Sequence, residues 1–296
     1  MKDQISINYE TCTLCGLCGE VCPNLTMKVD RETGITLRSN RKDLCIKCGQ
    51  CMAICPFKSI QVAGLSYDTD FFKLPKGKAA NLPFGEMVKT RRAIRTYKDQ
   101  PVSTEVLEKI VEAISFAPPS FTPLKIELVV VQDTSVIRKA LPEMIKVYDG
   151  LLKVMRNPIG RLIIRLKNGA EKFKVVEGHV APMMQSRLPE LKQGVEDTIT
   201  RYAPAMIIFH AHRDAEKYET DINIAMTYGF LAAHALGLGG SPIDLVPPAI
   251  QNNSALQEMF SIPVENVPVA ALILGYPKYR YQRGIKRELK SVAWID

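Results

Sequence analysis

The residues of this chain with the clearest capacity for chemistry are eight cysteines, which all fall between Cys12 and Cys55. They form two copies of the run C-x-x-C-x-x-C-x-x-x-C-P, one ending at Pro23 and the other at Pro56. The two-residue gaps let three thiolates of one loop converge on three iron corners of a cubane, and in such a run the fourth cysteine ligates the other cluster. The spacing therefore predicts one 4Fe-4S cluster on Cys12, Cys15, Cys18 and Cys55, and a second on Cys45, Cys48, Cys51 and Cys22.

Two other uses of eight cysteines are less consistent with this pattern. A disulfide framework is rare in reducing compartments, and the rest of the chain contains no cysteine. Two zinc sites with four ligands each would also use all eight thiolates. The third and fourth cysteines at these spacings, present twice, favour iron and sulfide. Over about residues 5–63 the segment resembles the two-cluster bacterial ferredoxins.

The elements that follow mix helices and strands without a regular βαβ alternation, which favours an α+β domain. Residues 64–85 read as a linker, and residues 87–90 as a short helix. Apolar spacing predicts a helix capped by Ser103 that stops before Pro118. Another helix is expected over 221–236, with Gly237 as its stop. Short β-branched runs predict buried strands at 126–132, 205–210 and 269–275.

From Glu86 onward the chain resembles the FMN-dependent nitroreductase family. The first matching element is the basic turn Arg91-Arg92-x-x-Arg95-x-Tyr97. The resemblance implies that these arginines bind the flavin phosphate, a role that suits guanidinium groups. It also implies a nitroreductase-like three-layer α/β/α sandwich preceded by a small ferredoxin-like domain. The expected boundaries are 1–63 for the ferredoxin-like domain, 64–85 for the linker and 86–296 for the FMN domain.

Three further elements carry the same resemblance. The loop at 117–122 implies contacts with the isoalloxazine ring of the opposite subunit through Pro119, Ser120 and Thr122, although Thr122 replaces the family's asparagine and Leu124-Lys125-Ile126 replaces its Gln-Pro-Trp. The glycine-rich segment at 235–244 implies a close approach to flavin N5. Its expected flavin-binding residues are Gly240, Pro242, Ile243 and Asp244. In the C-terminal tail, Arg287 is expected to contact the flavin phosphate, and Arg283 is the second choice.

Charge and hydropathy bear on partners and location. The formal net charge is +8, and residues 151–175 are strongly basic with interleaved leucines and isoleucines. This segment fits a solvated lid or dimer arm better than a membrane-surface helix, and no aromatic platform supports nucleic-acid binding. His210 and His212 are expected to share one face of a strand and to be hydrogen-bonded core or pocket histidines rather than metal ligands. No apolar run long enough to cross a bilayer and no signal peptide are visible, so a cytoplasmic protein is expected.

Together the two resemblances predict an iron-sulfur flavoenzyme. Electrons from ferredoxin or another low-potential donor would pass through two 4Fe-4S clusters to FMN, which would reduce a nitroaromatic, a quinone or an activated double bond. One alternative is an electron-transfer subunit or relay between redox proteins with no small-molecule substrate of its own. Another is a non-catalytic sensor that reads redox state through its clusters. The family resemblance further implies a homodimer, and no side chain is assigned as a proton donor.

Overall fold

The chain, described by a computed structural model, divides into two compact units. Residues 4–30, 34–74, 81–120 and 124–295 are described, apart from the side chains of Lys42 and Asn168. The first unit contains the cysteines, and it comprises Met1–Gly77, Leu82–Thr90 and Tyr279–Asp296. The second unit comprises Lys78–Asn81 and Arg91–Lys278. These units differ from the expected boundaries because the last eighteen residues cluster with the cysteine-containing part of the chain.

The first unit is built from short elements. Two strands, β1 (Ile5–Ile7) and β4 (Ile60–Val62), pair antiparallel, as do β2 (Met27–Asp30) and β3 (Gly34–Leu37). Helices α1 (Leu17–Glu20) and α2 (Gln50–Ile54) each begin inside a cysteine run, and a 3-10 turn covers Lys42–Leu44. Strand β5 (Phe71–Lys73) pairs with the C-terminal β10 (Arg283–Ile285), and α3 covers Phe84–Thr90.

The sequence repeat of the first unit is also a repeat of backbone conformation. Left-handed φ values recur at equivalent positions in the two cysteine runs, at Leu14 and Lys47 and at Gly16 and Gly49, and just after the runs, at Leu25 and Lys58. A left-handed residue costs little at glycine and more at leucine or lysine, which carry a Cβ. The same unusual turns therefore give the two cysteine runs the same backbone shape.

The second unit is organised around one four-stranded antiparallel sheet. Its strands are β6 (Glu127–Val131), β7 (Ala205–His212), β8 (Gly239–Pro242) and β9 (Asn266–Gly275), in the spatial order β6-β7-β9-β8. Every pairing is antiparallel. The expected α+β class is confirmed.

Successive side chains of a strand point to opposite faces of a sheet, and β7 has buried apolar side chains on both faces. Helices cover each face. On β7, Met206 and Ile208 belong to one core, whereas Ile207 and Phe209 belong to the other. The core that contains Ile207 and Phe209 includes residues of α4 (Thr104–Ser115) and α9 (Tyr218–Ala235). The core that contains Met206 and Ile208 includes residues of α5 (Thr134–Met155), α8 (Ala181–Lys192), α10 (Val246–Gln251) and α11 (Ser254–Met259).

Three sequence expectations about elements need correction. The strand around Val130 is not buried, since β6 is an edge strand and Val130 is 39% exposed. Ser103 stands at the N-cap of α4, but its hydroxyl makes no capping hydrogen bond. Residues 64–85 are more than a linker, because they contain β5 and the start of α3.

The basic segment at 151–175 is not one continuous helix. Asn157 caps a new helix by accepting a hydrogen bond from the Ile159 N–H at 2.9 Å, which ends α5 and begins α6 (Pro158–Asn168). Gly169, with φ of 80°, separates α6 from α7 (Ala170–Val175), and a π turn over Val176–Val180 leads into α8. Within the described part of the chain, no helix combines the length and apolar character needed to span a membrane.

Candidate functional site

The first unit gathers the eight cysteines around two separate cavities. One cavity is lined by four of them, Cys12, Cys15, Cys18 and Cys55. The other is lined by the remaining four, Cys22, Cys45, Cys48 and Cys51. Each set combines three cysteines of one run with the fourth of the other run. This is the distribution that the sequence predicts for two cubane clusters.

The electrostatics of the cysteine sulfurs fit a positively charged metal core. Burial, together with the neighbouring thiols, raises the pKa of Cys18 to about 12, and burial raises the pKa of Cys51 well above its usual value. Sulfurs in such surroundings ionise only when a bound metal offsets their charge. The Cys22 sulfur accepts a backbone N–H from Thr26 at 3.4 Å, and the Cys55 sulfur accepts one from Ser59 at 3.3 Å.

In the second unit the arginine-rich segment lies along the glycine-rich strand β8. The Ile94 N–H donates to the Gly240 carbonyl at 2.8 Å, and Ala93 forms a parallel bridge with the same glycine. A Cβ added at Gly239 would lie 2.6 Å from the Ile94 side chain. Only glycine therefore allows this approach of the two segments, and the approach brings the first and third predicted flavin elements together.

Arg91 and Arg92 lie beside the C-terminal end of α9. The Arg91 guanidinium carbon is 4.3 Å from the centroid of the Phe230 ring, a cation–π contact. Burial, together with the positive charges of Arg91 and Arg92, lowers the pKa of His234 to about 4. Near neutral pH the site therefore presents two guanidinium groups and a neutral imidazole, a donor set that suits a phosphate group.

The turn after these arginines is fixed by Tyr97, which is half-buried and donates its hydroxyl to the Ile94 carbonyl at 2.7 Å. Burial raises the pKa of Tyr97, while the charges of Arg95 and Arg201 lower it, so both guanidinium groups lie near this ring. Arg201 and Tyr202 have left-handed backbones, and the buried Asp197 accepts the Tyr202 N–H at 3.0 Å. Asp197 thus orders the loop that carries Arg201.

The predicted ring-contacting loop lies at the other end of α9. Ser120 donates both its N–H and its hydroxyl to Asp221 Oδ1, at 2.8 and 2.6 Å, and Asp221 is buried in the first turn of the helix. Asp221 and His234 are separated by thirteen residues of one helix, which at 1.5 Å per residue is about 20 Å. Within one chain, Ser120 is therefore not brought to the Arg91–His234 site. Pro119 precedes it in the same loop, and Thr122 lies outside the described residues.

The remaining predicted residues lie near the end of β8 or in the first unit. Pro242 ends β8, and the Ile243 N–H donates to the Ala271 carbonyl at 2.9 Å. Asp244 is exposed and close enough to Tyr148 to raise the pKa of that phenol, after burial, which is the larger cause. Arg287 is exposed in the first unit, just after β10. Its expected contact with a flavin phosphate stays a prediction.

Several residues of these sites carry no recognisable sequence signal. His234, Phe230 and Asp221 lie in a helix whose pattern reads as a buried core element, so their positions beside Arg91 and Ser120 emerge only in three dimensions. His210 has the expected role, because its Nδ1 lies 2.9 Å from the Asn266 amide in a buried pair. The same expectation is wrong for His212, whose side chain is exposed. Burial lowers the pKa of His210, which is the usual effect on a core histidine.

Comparison with known proteins agrees with the two units. Residues 88–276 match the Nitroreductase family, and residues 11–60 match the 4Fe-4S dicluster domain. An FMN reductase [NAD(P)H] of Bacillus subtilis (strain 168) is 28% identical over 189 residues, which span 64% of this chain and 64% of that protein. The aligned part thus covers less than two thirds of that relative's length.

Solved structures show the same fold at lower identity. A nitroreductase with bound FMN from Bacteroides fragilis NCTC 9343 has a TM-score of 0.52 and 17% identity, with 71% of this chain and 96% of that chain covered. A nitroreductase with bound FMN from Desulfitobacterium hafniense DCB-2 has a TM-score of 0.53 and 14% identity, covering 75% and 100% of the two chains. The resemblance seen in the sequence is confirmed: this chain belongs to the nitroreductase family, whose members are FMN-dependent oxidoreductases, and it carries a 4Fe-4S dicluster domain ahead of that family's fold.

Proposed function

We propose that this protein is an iron-sulfur flavoenzyme that takes electrons from ferredoxin or a similar low-potential donor and reduces a small electrophilic acceptor on FMN. The observation that carries the proposal is the presence, in one chain, of two four-cysteine cavities and an arginine site on the nitroreductase fold. Candidate acceptors are nitroaromatics, quinones and activated double bonds. The FMN-bound relatives and the B. subtilis FMN reductase support the choice of flavin.

The second unit contributes binding and electrostatics. Arg91 and Arg92 would hold the flavin phosphate, and Phe230 keeps the Arg91 guanidinium in place by stacking. FMN, when bound, supplies the hydride equivalent for the acceptor. The close approach of Ile94 to Gly239 and Gly240 fixes the backbone of β8, which leads into the remaining predicted contacts, Pro242, Ile243 and Asp244.

The first unit would hold the two clusters, which supply one-electron carriers when bound. The left-handed turns at Gly16 and Gly49 shape the two loops that carry the first three cysteines of each run. Backbone N–H groups of Thr26 and Ser59 donate to the sulfurs of Cys22 and Cys55. Such hydrogen bonds stabilise the charge that a thiolate ligand carries.

The proposal includes a homodimer. The loop of Ser120 and the Arg91–His234 site lie at opposite ends of α9, so one chain does not bring together all the residues expected around a flavin. A second copy could supply the missing loop at each site. Sedimentation equilibrium should then give twice the 33.0 kDa of one chain, and a monomer at micromolar concentration would contradict this part of the proposal.

The decisive experiment is acceptor turnover by anaerobically purified full-length protein with reduced ferredoxin as donor. We expect turnover of a nitroaromatic or quinone, and a strong loss of it in a Cys15→Ser variant that keeps its FMN. Dithionite should still reduce the flavin of that variant. If the flavin is reduced by ferredoxin but no small acceptor turns over, the protein is instead an electron relay between redox proteins. Equal ferredoxin-driven turnover with and without intact cysteines would contradict electron entry through the clusters.

A further inference from the structure

The C-terminal segment of the chain is built into the cysteine-containing unit. Strand β10 pairs antiparallel with β5, with Arg283 opposite Lys73 and Gly284 opposite Phe72. The segment is also bonded on either side of the strand, since Gln282 N–H donates to the Ala53 carbonyl at 3.2 Å and Lys286 N–H donates to the Asp70 carbonyl at 2.8 Å. The tail therefore has a defined register in this unit.

A close glycine contact fixes that register. A Cβ added at Gly284 would lie 1.9 Å from the Phe72 ring, so no residue with a side chain can take this position without displacing the ring. The Phe72 ring thus packs directly against the backbone of β10. Because Arg283 immediately precedes this contact, its backbone cannot shift without breaking the strand pair.

The Arg283 side chain reaches the backbone at Cys55, one of the four cysteines that line the cavity of Cys12, Cys15, Cys18 and Cys55. Its Nη1 donates to the Cys55 carbonyl at 2.5 Å, and its Nη2 donates to the Pro56 carbonyl at 3.3 Å. Its guanidinium carbon lies 5.3 Å from the centroid of the Tyr67 ring. The Tyr67 hydroxyl donates to the Ile60 carbonyl at 2.8 Å, which fixes the ring in turn. A permanent positive charge is therefore fixed beside one cysteine of this set.

A charge at this place has a defined electrochemical effect. Reduction adds one electron to a cluster and changes no bond to its ligands, so the reduced form is the more negative one. A fixed cation nearby stabilises that form and raises the reduction potential, which depends on net charge and hydrogen bonding around the cluster. Arg283 is half-buried, so water screens its charge less than that of the exposed Lys286.

We propose that Arg283, a residue of the C-terminal tail, is a positioning residue that raises the reduction potential of the cluster expected on Cys12, Cys15, Cys18 and Cys55. The proposal rests on the ligand sets given under the proposed function, but not on the identity of donor or acceptor. It assigns the tail to the tuning of electron entry, a role distinct from the flavin phosphate contact that the resemblance implies.

The test is a potentiometric titration of the full-length protein with dithionite, followed by the electron paramagnetic resonance of the reduced clusters. In Arg283→Gln we expect the ratio of reduced to oxidised form of one cluster to fall about threefold to tenfold at a fixed ambient potential, and a tenfold change is 59 mV for a one-electron couple. The other cluster should keep its potential. Lys286→Ala removes the same charge from the exposed end of the strand and should change neither potential.

Iron and sulfide content, measured on each variant, separates this outcome from a loss of clusters. Arg283→Gln with full iron content and two unchanged potentials would overturn the proposal. If that variant loses iron, Arg283→Lys decides, because it keeps the charge without the two-pronged contact. A lysine variant within about twofold of the wild-type ratio supports a charge effect, and one shifted tenfold or more contradicts it. Since the donor here is dithionite, absence of ferredoxin-driven turnover would not affect the result.

Discussion

Ile94 donates its backbone N–H to the Gly240 carbonyl at 2.8 Å, and this bond joins the arginine-rich segment to the glycine-rich strand. The contact leaves no room for a side chain on the neighbouring Gly239, whose Cβ would lie 2.6 Å from the Ile94 side chain. The two predicted flavin elements are therefore packed directly against each other. A change in either one should disturb the other.

Gly239→Ala should displace the Ile94 segment and lower the stability of the protein by about 1–3 kcal/mol, the usual cost of overpacking. FMN retention should fall as well, because Arg91 and Arg92 move with Ile94. Thermal unfolding and released-flavin fluorescence measure the two effects. Gly150→Ala is the matched control, since nothing lies within 4 Å of a Cβ at that helical position. Unchanged flavin content in Gly239→Ala would show that the contact between Ile94 and β8 is not needed for FMN binding.

Arg91→Ala should weaken FMN binding much more than it weakens folding. A charge-assisted hydrogen bond to phosphate is typically worth ~1.5–3 kcal/mol, which is about tenfold to a hundredfold in affinity. Arg95→Ala should have the same direction of effect. The exposed Arg138→Ala removes a guanidinium elsewhere on the same unit and should leave FMN affinity unchanged. Full FMN affinity in both Arg91→Ala and Arg95→Ala would place the phosphate elsewhere.

His234 should make the protein less stable at mildly acidic pH. Its pKa is lowered from 6.5 to about 4 by burial and by Arg91 and Arg92, so between these values the unfolded chain binds a proton that the folded chain does not. Stability is therefore lost as the pH falls from about 7 towards 4.

The measurement compares urea unfolding of wild type and His234→Gln at pH 7 and pH 5. Because the imidazole is partly exposed, we expect the wild type to lose about 1 kcal/mol more than the variant over this interval, less than the unscreened shift would give. Parallel losses in both proteins would mean that His234 titrates normally in the folded state.

Iron analysis should give about eight irons and eight acid-labile sulfides per chain, because two complete cysteine sets are present. Cys22→Ser and Cys55→Ser should each damage a different cluster and leave the other largely intact, since the two cysteines line different cavities. Zinc in place of iron in anaerobically prepared protein would refute the cluster assignment.

The sequence by itself determined the family and the type of fold, and it predicted the two cysteine sets. The pattern predicts that Cys55 joins the first run and Cys22 the second, because in this type of run the fourth cysteine ligates the other cluster, and the two cavities group the cysteines in the same way. The helix over 221–236 and the strands around Ile207 and Leu272 follow from periodic burial, and the structure confirms these elements with small shifts of their ends. Residues in such local patterns are visible without any knowledge of long-range contacts.

Tertiary structure alone decided which distant residues meet. From the sequence, Arg283 is only the second choice for a contact with the flavin phosphate, yet pairing between β5 and β10 brings it to the Cys55 carbonyl. His234 reads as an unremarkable helical residue, and it acquires its lowered pKa only because Arg91 and Arg92 pack beside it. Strand pairing and helix packing join segments far apart in sequence, and the energy of each contact depends on both partners. The sequence of one segment alone therefore does not show which distant segment it contacts.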